Sequence, residues 1–277
     1  MINGETILIA HLGYPTAAFK APMIYNPYFE KIGVNAVVMP MAVKAEDYPN
    51  VLSALFRLAN IRGALVTMPH KVATVALMDE LSVAAKIAGA CNAILLRPDG
   101  TLLGDVFDGE GFVRGMLRKG RKAQGARALV VGNGGVGSAI AASLASAGVS
   151  SVGLFDVNAA ATDSLARRLR QHYPKLQLDT GSKDATGYDV VVNATPLGMN
   201  DGDPLPIDID RIASSAFVGE VVMKREVTPF LRAARAKGCD TQVGTDMLFE
   251  QIPAYLEFFG FPTATADELR AVARITY

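Results

Sequence analysis

The fold turns on one stretch, Arg127-Ala128-Leu129-Val130-Val131-Gly132-Asn133-Gly134-Gly135-Val136-Gly137-Ser138. Residues 127–132 are an apolar run of strand length, and residues 135–147 carry the small side chains of a helix that should follow it. A G-x-G-x-x-G string is weak by itself, because 26 glycines in the chain make some by chance. Here it stands between a buried strand and a helix. In that context the glycines let the backbone approach a pyrophosphate, and the helix N-terminus offers N–H groups and a partial positive charge to the anion. Asp156 ends the next strand, 152–156, about 20 residues beyond the glycines. A carboxylate there accepts the ribose hydroxyls of NAD and repels the extra phosphate of NADP, and Asp156-Val157-Asn158 supplies no arginine. The expectation is a dinucleotide site at Gly132, Asn133, Gly134, Gly135, Val136, Gly137 and Asp156, taking NAD in preference to NADP. The competing reading is a tight turn followed by a surface aspartate.

Outward from this unit the pattern stays α/β. Upstream, residues 6–11, 36–41, 64–68 and 93–96 read as strands, and 22–31, 49–61 and 72–89 as helices. Strands alternating with helices imply a parallel sheet, since a parallel partner needs a crossover. Arg97-Pro98-Asp99-Gly100 is a turn signal that would set 92–97 and 101–106 in a hairpin-like pair. Residues 120–125, basic and glycine-bearing, read as a linker. Downstream, 189–194 and 216–222 read as strands and 228–237 as a helix. A short strand at 241–243 and two helices at 247–259 and 266–274 follow. The expected division is 1–108 for substrate binding and catalysis, 109–243 for the dinucleotide, and 244–277 as helices returning to the first domain.

Bulk properties narrow the function. The chain has 277 residues, 50% of them hydrophobic and 19% charged, which is enough for two cores. Lys and Arg total 27, as do Asp and Glu, and no basic run suggests a nucleic-acid partner. Two cysteines, Cys91 and Cys239, argue against a disulfide framework or a metal site. Met1-Ile2-Asn3-Gly4-Glu5 lacks the basic start of a signal peptide, and no apolar stretch approaches the roughly 20 residues of a membrane span. A cytoplasmic monomer or homodimer acting on a small molecule is expected.

Two polar residues stand at strand ends. Lys71 follows Val66-Thr67-Met68-Pro69-His70, and Asp108 follows residues 102–107 just before a helix start. Strand C-terminal ends are where open α/β sheets place ligands. An ammonium and a carboxylate converging on one hydroxyl can move its proton while a nicotinamide takes the hydride. Taken alone, the lysine also reads as a solvated helix residue and the aspartate as an N-cap. The histidines His11, His70 and His172 are read as structural.

These segments together resemble the shikimate dehydrogenase family over almost the full length. Residues 66–71 are similar to its N-V-T-x-P-x-K segment, which implies Lys71 as catalytic and Thr67 at the substrate. Residues 88–93 resemble G-A-x-N-T, with Asn92 binding substrate. Residues 104–109 are similar to G-x-N-T-D-G, placing Asp108 at the catalytic aspartate. Asn193-Ala194-Thr195-Pro196-Leu197-Gly198-Met199 resembles N-A-T-P-x-G-M, a loop beside the nicotinamide. Residues 244–251 look like G-x-x-M-L-x-x-Q, which implies Gln251 at the substrate and Gly244 and Met247 at the cofactor. Residues 220–229 resemble D-x-V-Y-x-P-x-x-T-P, which places Val221 and Met223 at the nicotinamide. The resemblance implies an α/β substrate domain, a Rossmann domain, C-terminal helices returning to the first, and substrate in the cleft between domains.

The departures cluster in substrate recognition. The family's S-x-S-P segment, whose serines bind the substrate carboxylate, is here Phe19-Lys20-Ala21-Pro22. Leu65 stands for an Asn, Val106-Phe107 for Asn-Thr, and Met223 for a tyrosine. Each lost hydrogen bond to a charged group costs about 1.5–3 kcal/mol. The expectation is an NAD-dependent oxidoreductase acting on shikimate, quinate or a related cyclic hydroxy acid, with Phe19 and Ala21 in the altered pocket. The alternative is an NAD-binding regulatory protein that has lost catalysis.

Overall fold

A computed structural model of the chain describes residues 2–17 and 19–275, and its contacts divide into two units. The first runs to Ala85, includes Ala90–Phe107 and resumes at Ile252; the second holds Lys86–Gly89 and Asp108–Gln251.

The first unit carries β1 (Ile7–Gly13), α1 (Pro22–Ile32), β2 (Ala36–Ala42), α2 (Tyr48–Leu55), β3 (Ile61–Val66), α3 (Lys71–Thr74) and β4 (Glu80–Leu81). The start of α4 (Val83–Ala88), then β5 (Ala93–Leu96) and β6 (Leu102–Asp105), follow. The strand order is β2-β1-β3-β5-β6-β4. Alternation along β1 decides its faces. Ala10 and Leu12 join Tyr48, Leu52 and Leu55 of α2 in one core, leaving Ile9 and His11 on the opposite face.

The sheet is mixed, where alternating strands and helices implied a parallel one. β1, β2 and β3 are parallel, but β5 lies antiparallel to both β3 and β6. The tight turn at residues 97–100 reverses the chain: Arg97 N–H donates to Thr101 O at 2.9 Å and Gly100 takes φ 85°. The expected helix at 72–89 is broken. Asp79 N–H and its carboxylate both bond the backbone of Leu102, drawing β4 parallel to β6. Ser82 then starts α4 by accepting from Ala85 N–H at 3.1 Å.

The second unit carries α5 (Asp108–Arg118), β7 (Arg127–Val131), α6 (Gly135–Ser146), β8 (Ser151–Phe155), α7 (Ala159–His172) and β9 (Gln177–Thr180). It continues through β10 (Val190–Asn193), β11 (Phe217–Glu220), α8 (Pro229–Ala236) and β12 (Asp240–Gln242) into α9 (Gly244–Phe259). All six strands are parallel in the order β12-β11-β10-β7-β8-β9. Alternate residues of β7 serve two cores: Ala128 and Val130 pack with α6, while Leu129 and Val131 pack with Phe230 and Leu231 of α8. The chain winds outward from β7 to β9 and then returns to β10, so the order reverses between β7 and β10. Ligands of doubly wound sheets bind at such a switch point.

From Ile252 onward, α9 belongs to the first unit, joined by α10 (Ala266–Val272). Phe259 packs so closely on β3 that a Cβ on Gly63 would meet its ring. Thr265 and Glu268 form a capping box at the start of α10. Among the described residues, no helix is long and apolar enough to cross a membrane.

Candidate functional site

In the first unit, Lys71 opens α3 just past the C-terminal end of β3 and is half-buried. Its carbonyl accepts from Cys91 N–H at 2.8 Å, which ties it to the strand end carrying Asn92. Asn92 is 1% exposed and held from several directions. Its carbonyl accepts from Val66 N–H at 2.8 Å and from the Tyr255 hydroxyl at 3.2 Å. Its side-chain oxygen accepts from Phe107 N–H at 3.0 Å. Thr67 is fixed by a bond from its own N–H to Leu12 O at 2.9 Å. The three residues Thr67, Lys71 and Asn92 therefore stand on neighbouring strand ends. His70 is occupied elsewhere, stacked on Tyr48 at 4.0 Å and bonded to Val43 O.

Phe19 stacks on His11 with ring centroids 4.0 Å apart and an interplanar angle of 27°. Gly13 makes room for the pair, since a Cβ there would meet Phe19 Cζ at 2.7 Å and Thr67 Cγ2 at 2.5 Å. His11 is a residue that reading the sequence missed. Burial, aided by the Lys71 charge, pushes its imidazole down to about 3, so it is neutral near pH 7. The available signal was a polar residue at the end of an otherwise apolar strand. Ala21 is buried immediately before α1, its carbonyl accepting from the N–H groups of Ile24 and Tyr25.

In the second unit the glycine loop is shaped by close approach. Gly132 takes φ 97°, and a Cβ on it would meet the Ala194 carbonyl and Thr195 N at 2.7–2.9 Å. A Cβ on Gly137 would overlap the Gly132 carbonyl. Gly134 precedes α6, so the first-turn N–H groups of Gly135 and Val136 lie at a helix N-terminus, as a pyrophosphate cradle requires. The geometry fits a dinucleotide. Asn133 is internal to the loop, accepting from Thr162 Oγ1 at 2.8 Å while its carbonyl accepts from Ser138 Oγ at 3.0 Å.

The loop that starts at Asn193 is held by its own side chains. Asn193 donates to Leu197 O at 3.0 Å and accepts from Thr195 Oγ1 at 2.6 Å and Thr195 N–H at 3.1 Å. Ala194 N–H bonds Val131 O, and Met199 N–H bonds Pro196 O. Val221 N–H donates to Asn193 O at 3.2 Å, placing Val221 beside the loop. Gly244 begins α9 against the Val222 carbonyl, where a Cβ would clash. Met247 is buried in the core that Met223 partly joins. Asp108 is 4% exposed in the first turn of α5, and Gln251 is 7% exposed with its side-chain base against Gly111 of that helix. Glu220, which sequence reading also missed, is fully buried at the end of β11. Among the described residues, no group of three or more His, Cys, Asp or Glu is arranged to hold a metal.

Residues 12–94 match the shikimate dehydrogenase substrate binding domain. A shikimate dehydrogenase (NADP(+)) of Rubrobacter xylanophilus is 35% identical over 254 residues, spanning 90% of this chain and 89% of its own length. One of Acidiphilium cryptum is 33% identical over 276 residues, 99% of this chain and 98% of its own. The shikimate 5-dehydrogenase of Listeria monocytogenes, solved with shikimate and NAD, has a TM-score of 0.90 at 25% identity, covering 98% of this chain and 97% of that one.

The NADP(+) in both relatives' names corrects the expectation of NAD, which rested on Asp156 alone. The structure supplies the physical reason. Asp156 Oδ2 accepts from Asn133 N–H at 2.6 Å and Oδ1 from Asn158 N–H at 2.8 Å. The carboxylate braces the glycine loop, so its presence does not report on a ribose phosphate.

Proposed function

The chain belongs to the shikimate dehydrogenase family, and we propose that it carries out reversible hydride transfer between NADP and a ring hydroxyl of a shikimate- or quinate-type cyclic hydroxy acid. The observation that carries this reading is Lys71, held by its backbone at a strand end beside the buried Asn92. The missing serines at Phe19 and Ala21 would suit a binding protein without catalysis, but such a protein has no need to keep Lys71 and Asp108.

In this reading Lys71 and Asp108 hold and move the proton of the reacting hydroxyl. Thr67, Asn92 and Gln251 orient the other ring hydroxyls. The nicotinamide, when bound, supplies the hydride acceptor or donor. Gly135 and Val136 offer first-turn N–H groups to the pyrophosphate, and Gly132, Asn133, Gly134 and Gly137 shape the loop that lets it approach. Ala194, Thr195, Pro196, Met199, Val221, Met223, Gly244 and Met247 line the nicotinamide end. Phe19 and Ala21 bring no hydroxyl to the substrate. Phe19 is stacked on a neutral imidazole, so a substrate carboxylate there meets an apolar wall. Shikimate itself is therefore expected to be turned over less efficiently than a ring alcohol with its carboxylate placed elsewhere.

The test is NADP reduction, followed by absorbance, with a panel of shikimate, quinate, amino-substituted and uncharged ring alcohols. Turnover with at least one cyclic hydroxy acid is expected. Tight cofactor binding with no turnover on any of them would contradict the assignment.

A further inference from the structure

We propose that His70 is a positioning residue for Lys71: with Tyr48 and Thr74 it forms a buried clamp that fixes the one-turn helix on which Lys71 stands. The inference rests on reading Lys71 as the group that moves the substrate proton.

The helix α3 has four residues, Lys71–Thr74, and no side chain caps its start. One turn of helix does not hold itself together in water, so its place must come from packing. Its middle residues, Val72 and Ala73, are exposed and provide little. The anchors are His70 and Thr74, 1% and 0% exposed, which stand four residues apart on the buried face.

The other half of the clamp is the start of α2 and the segment before it. The fully buried Tyr48 ring lies flat on the His70 imidazole, with centroids 4.0 Å apart and an interplanar angle of 2°. His70 Nε2 lies 2.8 Å from Val43 O. A carbonyl only accepts, so the ring proton is on Nε2 and the imidazole donates. At the far end of the turn, Thr74 N–H and Oγ1 both donate to His70 O at 2.9 Å. The Thr74 hydroxyl has a single proton, so in its 2.7 Å bond to Tyr48 the tyrosine hydroxyl is the donor. Tyr48 therefore grips the imidazole with its ring and the threonine with its hydroxyl. Both peptide groups of Lys71 are fixed as a result. The one before it is held at His70 O by two donors, and the one after it at Lys71 O by Cys91 N–H at 2.8 Å. The ammonium is then carried to the reacting hydroxyl from an immobile Cα, where a displacement of about 1 Å costs on the order of 10²-fold in rate.

The test measures kcat, KM and, by fluorescence, the NADPH dissociation constant in wild type, Thr74→Val, Thr74→Ser, His70→Phe and Lys71→Met. The substrates are NADP and whichever of shikimate and quinate wild type oxidises faster. Thr74→Val keeps the shape of the side chain and removes its hydroxyl. Its kcat is expected to fall about tenfold, with both KM values and the NADPH affinity within about twofold of wild type. Thr74→Ser keeps the hydroxyl and should retain most of kcat. His70→Phe keeps the stack, loses the bond to Val43 and should show the same selective fall in kcat; it decides the matter if Thr74→Val fails to fold. Full kcat in Thr74→Val and His70→Phe, an equal loss in Thr74→Ser, or a loss shared by KM and NADPH affinity would overturn the proposal while Lys71→Met stays slow. Full turnover by Lys71→Met, or none by wild type on either acid, would overturn the reading of Lys71 and this proposal with it.

Discussion

His11 sits at the C-terminal end of β1 with 8% of its surface exposed, its Nδ1 buried without a hydrogen-bond partner, and its ring against Phe19. Such a group is tolerated only while neutral. In the folded chain its pKa is lowered to about 3 by burial and then by the Lys71 charge, whereas an unfolded histidine titrates near 6.5. The unfolded state takes up a proton below 6.5 and the folded state does not, so stability falls as pH drops from 6.5 towards 3 at about 1.4 kcal/mol per unit. Urea denaturation of His11→Val between pH 7 and pH 4 should show a shallower loss than wild type; parallel slopes would contradict the assigned environment. Sequence reading took His11 as an ordinary core residue because its stacking partner lies on a separate segment. Lys71 and Asp108, which open α3 and α5, and Asn92, which immediately precedes β5, stand out in sequence because each lies in a short segment similar to one of the family's. Asp156 was read as a mark of NAD, but its carboxylate also accepts from two backbone N–H groups of the loop, contacts that the sequence does not display.

The element whose reading succeeded most fully is β7-loop-α6. Its signal is local: an apolar strand, glycines where side chains cannot fit, and a helix of small residues. Gly137→Ala tests the element as a whole, because a Cβ there would press on the Gly132 carbonyl and displace the loop. NADPH affinity is expected to fall tenfold or more, about 1.4 kcal/mol, measured by fluorescence titration. Unchanged affinity would mean that this loop does not cradle the cofactor. The elements that were misread depend on partners far away in sequence. The helix expected over 72–89 gives way at β4 because Asp79 and Glu80 find β6, a pairing that helical periodicity cannot register. β9 went unanticipated because Gln177–Thr180 is a mostly exposed edge strand without an apolar face.

For the molecule as a whole, contacts divide the chain into two compact units, the first of which resumes at Ile252. The balanced charge of 27 cationic and 27 anionic side chains suits a small-molecule enzyme better than a nucleic-acid binder. Family membership was readable because motifs recur in order along the entire chain, whereas the cofactor preference hung on one residue and required relatives to correct it. Whether the chain is a working dehydrogenase with Lys71 moving the substrate proton is decided by comparing wild type with Lys71→Met. Both would be given NADP and the best ring alcohol from the panel, with NADPH affinity measured alongside. A loss of roughly 10²- to 10⁴-fold in kcat with cofactor affinity unchanged is expected. Full turnover by Lys71→Met would contradict it.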